Sequence, residues 1–344
     1  FCLLLSFTKA SFMKFRFYFS CLLVSFGIII TACKTAENTS TLKNETKNKP
    51  LKIVIISDLN ASYGSTEYPA EVAYVISKLD SIKPDIILCA GDMVAGQKAS
   101  LTEQNILDMW ASFKTTVLEP IKTYKIPFGF TVGNHDASPS FALDRRLAKE
   151  FWQQNAAAVN LSFVDSTHFP FYFSYIKNGV FFISWDASGA QIPADVYTWM
   201  KGQLQSSIAQ KARLRILLGH LPLHPIVEAK NKPGEVNAAP DSALAFFQNH
   251  GIDVYISGHQ HAYYPAKKEG VRLFNAGAIG NGPRAILGHP APAQKAFSII
   301  EVPVTGAKNF SHQTFDPTPN SLNGSRLLPD SVTGFNGVIF RQDQ

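Results

Sequence analysis

The sequence predicts an α/β protein with a mostly buried sheet, and three observations carry that prediction. From residue 51 onward, short β-rich runs alternate with stretches of helical periodicity. The runs are largely apolar, as strands covered on both faces are. Of the 344 residues, the 294 that follow Pro50 contain no internal repeat and no linker-like break, which favours one large domain.

Taken in order, residues 52–57 (KIVIIS) form the first expected strand and 85–89 (DIILC) the second. Between them Val72, Val75, Ile76 and Leu79 recur at i, i+3, i+4 and i+7 behind Pro69, which suits a first helical turn. Ile106, Trp110, Phe113 and Val117 place a second helix before the third strand, 127–132 (PFGFTV). A fourth strand, 180–185 (VFFISW), precedes a helix at 194–208 with Val196, Met200 and Leu204 on one face. Strands at 214–218 (LRILL) and 253–257 (DVYIS) follow, and a strand pattern returns over 271–304. The domain is therefore set at 51–305. Asn, Ser, Pro and Gly crowd the remainder, so 306–344 reads as an irregular extension packed on that domain.

With 46% apolar, 12% aromatic and 17% charged residues, the chain is no disordered or collagen-like polymer, and four cysteines make no disulfide scaffold. The formal net charge of +6 is unevenly placed. Residues 1–50 hold seven of the 32 bases and two of the 26 acids, leaving 25 against 24 in the body. So neutral a body lacks the basic stripe that grips extended nucleic acid. Cys89, inside an apolar run, reads as core filler, with a reactive thiol as the alternative.

Met13, Lys14 and Arg16 lead into the apolar run 17–30, the length of a secretory signal core and short for a membrane span. A transmembrane anchor is the alternative. Ile30, Thr31, Ala32 and Cys33 then resemble the lipobox of bacterial lipoproteins. That resemblance implies cleavage before Cys33, its acylation, and export to a membrane-tethered position, periplasmic or on the outer surface. Residues 1–12 precede the first plausible start and are expected to lie upstream of it. Residues 34–50 are polar and end in proline, as a flexible spacer does.

Five of the six strands run straight into residues that bind metals or move protons. They are followed by Asp58-Leu59-Asn60, Gly91-Asp92, Gly133-Asn134-His135-Asp136, Gly219-His220 and Gly258-His259-Gln260-His261. Loops at the carboxyl edge of an open α/β sheet face one crevice, so the five clusters are expected to converge. Any one alone could be an ordinary polar turn. Four of them, however, place glycine at or just ahead of the metal-type residues, giving a tight turn without side-chain bulk. Together they offer carboxylates, an amide and imidazoles with no thiolate, a donor set suited to two divalent ions such as Mn, Fe or Zn. A carboxylate shared by two such ions clamps the attacking and leaving oxygens of an in-line displacement at phosphorus. The deduced chemistry is metal-assisted hydrolysis of a phosphate ester.

These blocks resemble the calcineurin-like metallophosphoesterases, whose motifs run D-x-H, G-D, G-N-H-D/E, G-H and G-H-x-H, over residues 58–261 in the family's order. The resemblance implies a four-layer α/β/β/α sandwich with mixed sheets. It implies that Asp92 bridges two metals, that Asp58 and His261 hold the first with Asn60, and that Asn134, His220 and His259 hold the second. His135 would face the substrate, stabilising phosphoryl oxygens or protonating the leaving group, with Asp136 orienting it. Asn60 departs from the family, which usually has a histidine there; a neutral amide should hold the first metal loosely. The tyrosine that purple acid phosphatases place three residues after the bridging aspartate is Ala95 here, so no iron-tyrosinate chromophore is expected.

For the substrate, His224 either lines the pocket or sits on a rigid loop between Pro222 and Pro225. Tyr63, Tyr263, Tyr264 and Arg284 lie near the ligand blocks in sequence, where Arg284 either meets phosphate or is structural. Asp186 reads as structural, and His168, His250, His289 and His312 as surface or core histidines. The partner is then a small phosphoester. Two readings compete with a phosphatase of varied monoesters: a specialised phosphodiesterase for nucleotides or lipid head groups, and a catalytically silent lipoprotein that binds metal or ligand. No G-x-S-x-G elbow, H-E-x-x-H helix or G-x-x-x-x-G-K-[ST] loop points to another hydrolase.

Overall fold

A computed structural model describes residues 49–318, 321–322 and 327–342, within the unit Ser40–Gln344. The signal segment, Cys33 and all but the end of the spacer lie outside the described residues. In chain order the first elements are β1 (Leu51–Ile56), α1 (Ala70–Ile82), β2 (Ile86–Cys89), α2 (Glu103–Phe113), α3 (Glu119–Thr123), β3 (Phe128–Phe130), α4 (Asn134–Ala137) and α5 (Ala142–Gln154). Then come β4 (Phe163–His168), β5 (Tyr172–Lys177), β6 (Val180–Ser184), α6 (Ala194–Gln205), α7 (Ser207–Gln210), β7 (Leu214–Leu218) and α8 (Pro240–His250). The last are β8 (Val254–Ser257), β9 (Tyr263–Lys268), β10 (Val271–Ala276), β11 (Phe297–Val302), β12 (Ser311–Asp316), β13 (Ser321–Leu322), β14 (Ser331–Gly334) and β15 (Gly337–Arg341).

Two mixed sheets result. One has the order β13-β12-β11-β1-β2-β3, the other β14-β15-β9-β10-β8-β7-β6-β5-β4. β1, β2 and β3 are parallel, with Ile55 beside Leu88 and Leu88 beside Gly129; β6, β7 and β8 are likewise parallel. Side chains that alternate along a strand assign the faces. Phe182, Ile216, Leu218, Val254 and Ile256 enter one core with β1 and β2, while Phe181, Ile183, Leu217 and Tyr255 enter a second core. The first core also takes Val72, Val75, Ile76 and Leu79 of α1, and Trp110 and Trp152 of α2 and α5. The second takes Val196 and Met200 of α6 and Leu244 and Phe247 of α8. The layers are therefore helices, sheet, sheet, helices: the α/β/β/α sandwich.

Local causes are visible in the helices. The α1 stripe is the predicted one, and α1 ends at Lys83, which takes a left-handed conformation. Thr102 caps α2 reciprocally with Asn105. A π-helical turn, Lys114–Leu118, carries the stripe on so that Val117 stays buried. Cys89 is fully buried and its thiol is pushed up by that burial, as befits a core residue. Among the described residues no helix is long and apolar enough to cross a membrane.

The expectation of an irregular tail is corrected. β12 pairs antiparallel with β11 along five residue pairs, and the β14–β15 hairpin joins the other sheet at β9. These strands alternate: Thr314, Asp316 and Val332 are buried while Ser311, Gln313, Ser331 and Thr333 face out. Half-exposed strands carry enough Ser, Thr and Asn to resemble loops in composition.

Candidate metal centre

Because β1, β2 and β3 are parallel, their carboxyl ends share an edge, and so do those of β7 and β8. The two edges are stitched together across the sheets. Thr131 donates its hydroxyl to the Trp185 carbonyl at 2.9 Å, and Ser184 donates to the Phe130 carbonyl at 2.6 Å. Glycines allow the close approach: a Cβ on Gly133 would collide with Oδ1 of Asp92, and one on Gly258 with Oγ of Ser57. Asp58, Asp92, His259 and His261 all adopt positive φ, between 49° and 67°, which turns their side chains to the centre at a backbone cost.

The ligand-type atoms fall into two groups, Asp92-His220-His259 and Asp58-Asp92-His261, each with its atoms within 4.8 Å of one another. Asp92 belongs to both. Asn134 Oδ1 lies 2.9 Å from His220 Nε2 and 2.8 Å from His259 Nδ1, which adds it to the first group. The imidazoles are oriented from behind. His220 Nδ1 meets the Ala90 carbonyl at 2.7 Å, His261 Nδ1 the carbonyls of Asn281 and Gly282 at 3.0 Å, and His259 Nε2 the Glu235 carboxylate at 2.7 Å. Each ring thus has an oxygen behind it to accept one N–H, which leaves the other nitrogen directed to the centre and free to bind a metal when one displaces its proton, the arrangement that metal-ligating histidines use. The donor set fits two divalent ions.

Charges follow the same plan. Burial works against ionising Asp58 and Asp92, yet His261 beside the one and His220 beside the other hold both carboxyls below the ordinary range. For His220, burial opposes protonation, but Asp92 and Asp58 outweigh it and carry the ring up to about 9. Burial, with Lys230 next to it, takes His259 down to about 3. The hydrogen bond from that neutral ring helps take Glu235 down to about 2.

His135 stands beside the centre, its Nε2 4.0 Å from Asp92 Oδ2 and its Nδ1 3.1 Å from the Gly96 carbonyl. Tyr63 packs on it, ring centres 5.1 Å apart. Asp136 does not orient this ring, contrary to expectation. Its Oδ1 accepts from the amides of Met93 and Val94 at 2.8 and 2.9 Å, and its Oδ2 from that of Gly133 at 2.7 Å. Burial and the nearby Asp92 raise its carboxyl to about 7 against those donors. Its contacts bind the loop after β2 to the loop after β3, and the Gly96 carbonyl sets His135.

A cavity of about 580 Å³ opens over the centre, lined by Asn134, His135 and His259, with Tyr63, Lys230 and Arg284 on its walls. Tyr63 and Arg284 thus reach this cavity. His224 is not: it is 2% exposed, with Nδ1 3.0 Å from Asn336 Oδ1, because Pro225 packs on the Gly334 turn and directs the ring into the protein. Tyr263 and Tyr264 are also buried away from this cavity, bonded to His312 and to the Pro329 carbonyl. Asp186 pairs with Arg145 and accepts from Ser188, a structural role. Asn60 is buried, its amide N–H donating to the Asp92 carbonyl at 3.3 Å. Lys230, Glu235 and Gln97 were not predicted; Gln97 accepts from Asn134 Nδ2 at 2.5 Å.

A family model, calcineurin-like phosphoesterase, matches residues 51–263, more than half of the chain. The chain belongs to that family. As a calcineurin-like phosphoesterase it is 27% identical to purple acid phosphatase 22 of Arabidopsis thaliana over 235 residues, 68% of this chain and 48% of that protein. Among solved structures its fold is similar to purple acid phosphatase PPD1 of yellow lupin (Lupinus luteus) seeds, with a TM-score of 0.58, 14% identity, and 80% of this chain and 53% of that one covered. It is similar also to GAP50, the anchor in the inner membrane complex of Plasmodium, with a TM-score of 0.52, 13% identity, and coverage of 80% and 87%. The chain spans about half the length of the purple acid phosphatases it matches.

Proposed function

We propose that this phosphoesterase is a dinuclear metal-dependent hydrolase of phosphate esters. The observation that carries the reading is Asp92, shared by two groups of ligand atoms and 4.0 Å from an imidazole on the cavity wall. Asp58, Asn60 and His261 would hold one ion, Asn134, His220 and His259 the other, and Asp92 both. The ions, when bound, supply Lewis acidity and an activated water. In the reaction the oxygen of water bonds to phosphorus as the bond to the ester oxygen breaks, releasing phosphate and an alcohol. His135 has its Nδ1 on the Gly96 carbonyl and turns Nε2 to the cavity, so a proton carried on that nitrogen would face the ester. From there it stabilises phosphoryl oxygens or passes to the leaving oxygen. The sequence before residue 34 supports export and tethering through Cys33; loss of fatty-acid labelling in Cys33→Ser is the expected check.

The test is hydrolysis of p-nitrophenyl phosphate and bis(p-nitrophenyl) phosphate by protein stripped of metal and reloaded with Mn, Fe or Zn. Metal-dependent release of p-nitrophenol is expected. Its absence from fully loaded protein with all three ions overturns the reading in favour of a silent binder, and turnover of the diester alone favours the phosphodiesterase.

A further inference from the structure

Two cations, Lys230 and Arg284, stand on the wall of the cavity. The Lys230 side chain is 12% exposed, with Nζ 3.1 Å from both ring nitrogens of His259 and 3.6 Å from Glu235 Oε2. Arg284 is anchored beside the other group, its amide N–H donating to the His261 carbonyl at 3.0 Å. Its Nη1 is buried and has no hydrogen-bond partner among the described residues. A buried guanidinium nitrogen left without an acceptor is costly, and Arg284, which lines the cavity, could turn it to a ligand oxygen.

Charge matching indicates what such a ligand carries. Two divalent ions bring four positive charges, and Asp58 and Asp92 remove two, so the dianion of a phosphomonoester already balances the centre. Lys230 and Arg284 then exceed Glu235 by one charge, and nothing in a simple monoester answers it. Beyond the centre the cavity wall continues through Ser138, Ser140 and Gln191, uncharged polar groups that suit a hydroxylated body.

We propose, on the basis of the phosphoesterase reading above, that the cavity selects phosphoesters bearing a second phosphoryl group, which Arg284 and Lys230 hold beside the scissile one. The planar Arg284 fork meets phosphate oxygens in pairs, and the Lys230 ammonium adds a point charge.

The experiment compares kcat/KM of the metal-loaded full chain on two matched pairs of esters: glucose 6-phosphate with glucose 1,6-bisphosphate, and AMP with adenosine 3′,5′-bisphosphate. A preference of about tenfold or more for the doubly phosphorylated member of either pair is expected, the scale of one good charge-assisted contact. The pair that shows it tells which spacing of the two phosphates the cavity takes. Arg284→Gln and Lys230→Gln should each cut that ratio about fivefold or more, chiefly through KM. No preference in the parent protein overturns the inference. So does a parallel loss on both members of a pair, which would place the two cations on the scissile phosphate or in the fold. Hydrolysis of p-nitrophenyl phosphate separates these failures from a failure of the phosphoesterase reading, since its absence overturns both.

Discussion

His135 and Asn60 are the two residues whose replacement says most. His135 touches the cavity but offers no nitrogen to either ligand group, so His135→Ala should lower turnover about 100-fold or more while metal content stays at the parent level. Metal analysis beside a p-nitrophenyl phosphate assay reads both. Asn60 brings a neutral donor where the related motif has imidazole, so the ion it would hold with Asp58 and His261 should leave first. Metal counting during mild chelation should show one ion lost before the other, and simultaneous loss would count against it. The side chains that meet at Asp92 were readable in the sequence because each follows an apolar run and a tight turn, where the sheet edge leaves few directions for a side chain. Lys230, Glu235 and Gln97 were not, because they come from loops with no strand end to fix their direction. His224 was misjudged for a related reason: the sequence shows Pro222 and Pro225 but not the hairpin turn at Gly334 that Pro225 packs against.

The loops after β2 and β3 act as a unit because one carboxylate joins them. Asp136→Ala strands three buried amides, those of Met93, Val94 and Gly133, and should cost about 3 kcal/mol or more in urea unfolding. Asp136→Asn, which keeps one acceptor, should fall between. The strands that end at the centre were legible because burial on both faces makes them continuous apolar runs. β4 was not, since Asp165, Ser166 and Thr167 dilute it and its second half is exposed. α5 was passed over because charged residues fill its outer face, although Leu147, Ala148 and Trp152 lie buried against the first core. α8 carried usable signals, Pro240 at its start and Gly251 past its end.

The molecule as a whole depends on its tail. β15 covers the edge of β9, and the β14–β15 turn reaches the loop after β7 through Asn336, which donates to the Leu223 carbonyl at 2.8 Å and meets His224. Burial, and Lys268 after it, bring the His224 pKa down to about 4, against Asn336 and Asp241. The folded protein thus binds fewer protons here than the unfolded chain, whose ordinary histidine titrates near 6.5. This contribution is complete above about pH 6.5 and is lost as pH falls towards 4, by about 3 kcal/mol at pH 4. Urea midpoints measured across that window should drop more steeply for the parent than for His224→Gln; parallel curves would remove His224 as the cause.

Asp58, Asp92, His259 and His261 were seen to occupy a conformation that suits glycine, at roughly 1 kcal/mol apiece. Durability and cargo therefore pull against each other at the same four positions. Asp58→Gly relaxes one such turn but leaves the His259 amide and the Ser57 hydroxyl without the carboxylate they donate to, so its melting temperature in a chelating buffer should change little, and it should fall well behind the parent once manganese is added. A lineage under pressure for heat tolerance could not take its gains at the floor of this crevice without giving up what the crevice holds.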